Sequence, residues 1–266
     1  MSDVNRPSGS VAPPENRPAG RRVYFLYPPS VVEESMIQFL ITAQFEAAII
    51  KDHRALIPII KKYPNSILFC NLDSKRMESG ELEKLVRHVV STMGDHGCEV
   101  GVLSYNQDEE AARTYLMDIG VTAGYVTLKI GFEQSARIII KTLEAAEARG
   151  RRRFVRVKVP QNKGSISVQL ERRKIEGELL DVSVAGVACR LPEEFAAGTV
   201  LSDIQLRLWG SLVGVGGKVV GYRESRNRPI YVIMFDEPVS SHARGRIYGF
   251  IRRVLQFETD RYLPQR

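Results

Sequence analysis

From Arg22 onward the apolar residues fall into two alternating rhythms. Short, nearly continuous apolar runs recur at Val23-Tyr24-Phe25-Leu26-Tyr27 and at residues 47–51, 66–70, 99–104 and 123–128. Each has the length and composition of a strand buried on both faces. Between them lie segments of helical period at residues 31–42, 54–62, 80–93 and 108–120, and a last one at 131–149 closes the series. In the first of these, Ser30 stands at the N-cap position and Met36, Phe39 and Leu40 share one face. Strands alternating with amphipathic helices predict a parallel sheet covered by helices on both sides. Five strands at this chain length favour a flavodoxin-like order.

After Gly150 the period changes to two. Strand candidates follow at 154–159, 165–170, 175–183, 186–191, 200–208, 217–224 and 230–235, punctuated by turn sequences such as Gln161-Asn162-Lys163-Gly164. This spacing predicts a small antiparallel barrel. Gly214-x-Gly216-Gly217 opens no helix and reads as a hairpin turn, not a dinucleotide loop. A helix is expected over 241–256, where Ile247, Phe250, Ile251, Val254 and Leu255 form one stripe able to close a barrel mouth. The expected organisation is therefore a Pro/Gly/Ser-rich, disordered leader (1–21), an α/β domain (22–149) and an all-β domain with a terminal helix (150–266).

Charge sharpens this division. The net charge of +7 splits into +1 for the leader, −3 for residues 22–149 and +9 for residues 150–266, so an anionic partner belongs to the C-terminal half. Cys70, Cys98 and Cys189 are scattered, away from the four histidines, which argues against a zinc site or a disulfide framework and suits a reducing cytoplasm. The sequence contains no apolar run of membrane-spanning length and no signal-peptide core. No Ser/His/Asp or Cys/His arrangement suggests an enzyme.

Two strings in the basic half carry the candidate chemistry: Arg151-Arg152-Arg153-Phe154-Val155-Arg156, and Asp181-Val182-Ser183-Val184-Ala185-Gly186. Their order, separation and strand-rich setting make an RRxxxR…DxSxxG pair, which resembles the PilZ domain, a family of bacterial cyclic di-GMP receptors. The resemblance covers residues from about 149 to 257. It implies a six-stranded barrel with a C-terminal helix and a ligand site built from Arg151, Arg152, Arg156, Asp181, Ser183 and Gly186. Those residue types suit the ligand. Guanidinium groups pair with phosphate oxygens, bond guanine O6 and N7, and stack on bases. A carboxylate accepts from guanine N1–H and N2–H₂. A serine hydroxyl bonds a base edge or braces the turn, and a glycine permits positive φ or close backbone approach. Members with an additional arginine before RxxxR tend to bind two intercalated ligands, and here that residue is Arg151, so two molecules per protomer are expected.

The first half resembles a response-regulator receiver at the level of fold. Lys129-Ile130-Gly131-Phe132 stands at the family's Lys-Pro-Phe corner, and Ser104 ends the fourth strand where a Ser/Thr is expected. The acidic pair that would hold Mg²⁺ is replaced by Tyr27-Pro28-Pro29. Asn71 is the closest match to the phospho-acceptor, with Asp73 two residues on. The resemblance thus implies a pseudo-receiver used for docking or homodimerisation. The leading expectation is a cytoplasmic, non-enzymatic effector that binds cyclic di-GMP without another cofactor and signals to a downstream protein. Two alternatives compete with it: a basic nucleic-acid-binding regulator, which fits the +9 charge but lacks a recognition helix, and a phosphorylatable response regulator.

Overall fold

The computed structural model describes residues 20–129, 131–150, 152–171, 173–225 and 228–264. The expected leader, apart from Gly20 and Arg21, lies outside them, as do Ile130 and Arg151. The chain divides into two compact units, one containing Pro18–Val155 with Leu255–Arg266, the other containing Arg156–Val254.

The first unit holds a parallel sheet of β1 (Arg22–Leu26), β2 (Glu46–Ile50), β3 (Ile67–Asn71), β4 (Glu99–Ser104) and β5 (Gly124–Thr127), in the order β2-β1-β3-β4-β5. This is the flavodoxin-like order that five strands predicted. Helices α1 (Glu34–Thr42), α2 (Leu56–Lys62), α3 (Ser79–Met93), α4 (Glu109–Arg113) and α5 (Phe132–Ala145) connect the strands. α4 runs on as a π-helical segment over Thr114–Ile119. Pro58 sits in the first turn of α2, where its missing N–H costs nothing. Ser30 does not cap α1. Ser30–Val32 instead forms a 3₁₀ turn closed by Val32 N–H onto Pro29 O (2.8 Å), and α1 starts from Glu33. Tyr24, Leu26, Leu68, Cys70, Val100 and Val102 pack one sheet face against Leu56, Ile60, Val86 and Tyr115.

Two polar devices hold this unit's periphery. The Arg21 guanidinium donates to Asn65 O, Ser66 O, Gly97 O and Ala146 O and pairs with Glu99, tying the amino ends of the strands together. At the opposite edge of the sheet, Gln256 accepts from Ile49 N–H (3.0 Å) and donates to Ile49 O (2.8 Å). Glu258 pairs with Arg22 (2.7 Å) and Asp260 with Lys51 (2.7 Å).

The second unit is an antiparallel barrel of β6 (Arg156–Lys158), β7 (Gly164–Leu170), β8 (Arg173–Ser183), β9 (Gly186–Arg190), β10 (Val200–Leu208), β11 (Ser211–Arg223) and β12 (Ile230–Phe235). Six strands close in the order β8-β7-β10-β11-β12-β9, with β9 returning to β8, and β6 pairs with the last residues of β8. The interior is filled by Ile166, Val168, Leu179, Val182, Val187, Ile204, Leu206, Val219, Ile233 and Phe235. α6 (Ser241–Asp260) buries Ile247, Phe250, Ile251, Val254 and Leu255, the predicted stripe, and extends one turn beyond the predicted end.

The glycines of β11 correct the expected hairpin turn. Gly214, Gly216 and Gly217 lie inside that strand, which is longer than expected. A Cβ on Gly217 would stand 2.6 Å from Met234 O and 3.0 Å from the Ile233 side chain, so the glycine serves close strand packing beside a register shift in β10. The true turn is Trp209-Gly210, both at positive φ (51° and 88°), a two-residue connection between Leu208 and Ser211. The Trp209 ring meets Phe250 edge to face at 6.2 Å.

All three cysteines are buried. Burial pushes the thiols of Cys70, Cys98 and Cys189 up to about 12, 11 and 12, from an ordinary value near 9. Above pH 9 the unfolded chain therefore releases protons that the folded chain retains, so these groups make stability fall as pH rises. At pH 8 a thiol reagent is expected to leave native protein essentially unmodified and to label all three cysteines in urea. Rapid labelling of native protein would contradict this burial.

Candidate functional site

The second motif lies where β8 turns into β9, and a bulge determines how it is presented. Leu179 pairs with Cys189 but Asp181 pairs with Ala188, so β8 carries one extra residue at Leu180. Without it, the alternation that buries Ile175 and Leu179 would also turn Asp181 inward. With it, Val182 enters the core (0% exposed) and Asp181 leaves it. β6 lies alongside, with Arg156 opposite Ser183 and Lys158 opposite Asp181.

This register brings Arg156 and Asp181 together, with Nε 3.6 Å from Oδ1. That separation permits ionic attraction but exceeds a normal hydrogen bond. Asp181 Oδ1 is buried and accepts no hydrogen bond from the described residues. A buried carboxylate oxygen without a donor is costly, so a modest shift of Arg156 or an arriving N–H group would stabilise it. The Asp181 charge also helps burial hold the neighbouring Cys189 thiol protonated.

Ser183 and Gly186 shape the turn between β8 and β9. The Ser183 side chain is buried; its hydroxyl donates to Gly186 O (3.2 Å) and accepts from Ala185 N–H (3.4 Å). Of the two roles open to it, bracing the turn is the one seen. Gly186 has no positive φ. A Cβ there would lie 2.3 Å from Ile233 O and 3.2 Å from Met234 Cα, so the residue is glycine because the paired strand β12 runs too close to it for a side chain. Nothing near the motif signals this, since Ile233 belongs to a distant stretch of chain.

The first motif is split between the units. Arg156 opens the barrel unit, whereas Arg152, Arg153 and Val155 group with the parallel sheet. Arg152 is exposed, and Arg151 lies outside the described residues. Val155 is buried and its N–H donates to Gln44 Oε1 (2.8 Å). Burial raises the Glu46 carboxyl above its ordinary range, while Arg22 and, more weakly, Arg152 pull it down. Val155 and Val157, on either side of Arg156, are both buried.

In the first unit, the residues at the receiver positions form a closed polar cluster. Asp73 accepts from Ser104 Oγ (3.1 Å), Tyr105 N–H (2.7 Å) and Asn106 Nδ2 (3.2 Å). Asn71 donates to Tyr27 O (2.9 Å) and accepts from Asp73 N–H (3.1 Å). Among the described residues no group of three or more acidic, histidine or cysteine side chains could hold a metal ion, and no helix is long and apolar enough to cross a membrane.

The family model "PilZ domain" matches residues 150–253. No match was found among curated protein sequences. Among solved structures, the PilZ domain with c-di-GMP of YcgR from Escherichia coli is 18% identical with a TM-score of 0.35, over 42% of this chain and 95% of that one. The K. pneumonia MrkH–c-di-GMP complex is 15% identical at a TM-score of 0.36, over 42% of this chain and 56% of that one, so only about half of MrkH is spanned. The chemotaxis response regulator CheY4 of Vibrio cholerae is 15% identical at a TM-score of 0.38, over 48% of this chain and 99% of that one. Behind a five-stranded parallel α/β unit of flavodoxin-like order, this chain carries a PilZ domain over residues 150–253.

Proposed function

We propose that the chain is a non-enzymatic cyclic di-GMP receptor whose site is formed by Arg151, Arg152, Arg156, Asp181, Ser183 and Gly186. The observation that carries the reading is the loose Arg156–Asp181 pair, with a carboxylate oxygen that meets no hydrogen-bond donor among the described residues. A guanine edge offers the missing N–H groups, and the arginines offer forked donors to its O6, N7 and phosphates. Ser183 and Gly186 act by fixing the turn that presents Asp181. Ligand binding then rearranges the linker arginines and is read by a downstream protein, with the flavodoxin-like unit as docking or dimerisation module in a cytoplasmic setting. Calorimetric titration of cyclic di-GMP and duplex DNA at two salt concentrations tests this. Tight dinucleotide binding beside weak, steeply salt-dependent DNA binding supports it, and the reverse pattern rejects it.

Stoichiometry follows from charge. Two intercalated ligands bring four phosphate charges to one place, tolerable only with cations beside them, even where water reduces each pair interaction to about 1 kcal/mol. The expected plateau is two ligands per protomer, falling to one, bound more weakly, in Arg151→Leu. A plateau of one in fully active wild-type protein would contradict this.

A further inference from the structure

We propose that the crevice at the carboxyl ends of β1, β2 and β3 is a second, independent site, for a phosphate-bearing small molecule up to mononucleotide size, recognised by Lys75 and Arg76. The strand order changes direction at β1, with β2 on one side and β3 on the other. In open α/β sheets, ligands bind outside the carboxyl ends of the strands at such a reversal. A cavity of about 350 Å³ lies there, lined by residues at or just beyond the ends of the three strands: Tyr27 and Pro28, Lys51, Asn71, and Ser74 to Arg76. That volume lies at the lower end of small-molecule sites, about 300–1,000 Å³.

The sign of its charge points to an anion. Three cations, Lys51, Lys75 and Arg76, line the cavity against one acid, Glu33. Lys51 is already paired with Asp260 (2.7 Å), but Lys75 and Arg76 are exposed and form no ion pair among the described residues. A metal ion would meet these cations with Glu33 alone to hold it. A phosphate would meet a forked guanidinium and a mobile ammonium, the pair suited to it.

The wall is rigid and partly aromatic. Tyr27 leaves β1 in the left-handed region (φ 48°). Its hydroxyl accepts from His53 N–H (3.0 Å) and contacts His53 Nδ1 (2.9 Å), and its carbonyl accepts from Asn71 (2.9 Å). The Arg76 guanidinium lies 5.5 Å from the centre of the Tyr27 ring, so a charged donor and a flat stacking surface adjoin each other. That combination fits a phosphate carrying a planar base.

The test titrates the full chain at low salt with GMP, inorganic phosphate and guanosine, following backbone amides by NMR. Saturable shifts around Tyr27, Asn71 and Arg76 are expected with GMP in the millimolar range, weaker ones with phosphate and none with guanosine. Lys75→Glu/Arg76→Glu should weaken GMP binding at least about tenfold by reversing both donors' charge, and added salt should weaken it in wild type. Arg156→Ala should leave it unchanged, which separates this site from the one on the barrel. Should the double reversal perturb folding, Arg76→Gln replaces it, with a smaller loss expected. Undiminished GMP binding in a folded Lys75/Arg76 variant, loss of these shifts in Arg156→Ala, or no response to either phosphate probe would overturn the proposal.

Discussion

Gly186→Ala is expected to destabilise the barrel by about 3 kcal/mol, and Gly186→Val by more, at the upper end of what overpacking a well-filled region costs. The added Cβ would stand 2.3 Å from the Ile233 carbonyl oxygen, and backbone cannot move aside as a side-chain tip can. β12 would have to shift, and with it the Gly186–Met234 and Val187–Ile233 pairings that close the barrel. Urea unfolding of the C-terminal unit measures this, and an unchanged midpoint in Gly186→Ala would show that the strands can separate cheaply. The result bears on ligand binding. Any loss of binding at Gly186 is expected to come with loss of structure, so this residue cannot report on contact with ligand.

Arg156→Ala offers the complementary result: cyclic di-GMP binding weakened by about 2–4 kcal/mol with folding preserved. Arg156 is partly exposed, at the start of the barrel, and its contact with Asp181 is an ion pair rather than a full hydrogen bond. Removing it takes a forked donor from the ligand and leaves the Asp181 carboxylate without its neighbouring charge. Arg156→Lys should fall between, because the charge persists without the fork. Asp181→Ala should cost about 1–3 kcal/mol of binding by leaving guanine donors unpaired. Calorimetry on the three variants decides the matter. Wild-type affinity in both alanine variants would remove this pair from the site.

Sequence order made the architecture readable wherever a local rule governs it. The five apolar runs of the first unit became its five strands, because a strand buried on both faces needs nothing beyond its own composition. The two motifs were legible because each is a short contiguous string. What escaped the sequence depends on residues far apart in the chain. Gly214, Gly216 and Gly217 looked like a turn because glycine usually marks one; the partner that demands glycine at 217 is the β12 backbone. The bulge at Leu180, which points Asp181 outward, has no local signature. α6 outran its apolar stripe because Glu258 and Asp260 are held by Arg22 and Lys51, some two hundred residues earlier. For Ser183, the choice between base contact and turn brace needed the hydroxyl's distances.

The Gln256 amide has a consequence for solubility. β2 is an edge strand, and its apolar sequence Glu-Ala-Ala-Ile-Ile offers a ready template for another chain. By occupying both the N–H and the C=O of Ile49, one side chain imitates a single residue of a neighbouring strand and then stops, since it has no backbone to continue the ladder. A protein trimmed at the end of the family match, residue 253, would lose this plug together with the Glu258 and Asp260 pairs. Light scattering should then detect self-association through the uncovered edge at concentrations where the full chain stays dispersed. Gln256, Glu258 and Asp260 are in this sense a guard against sticky strands.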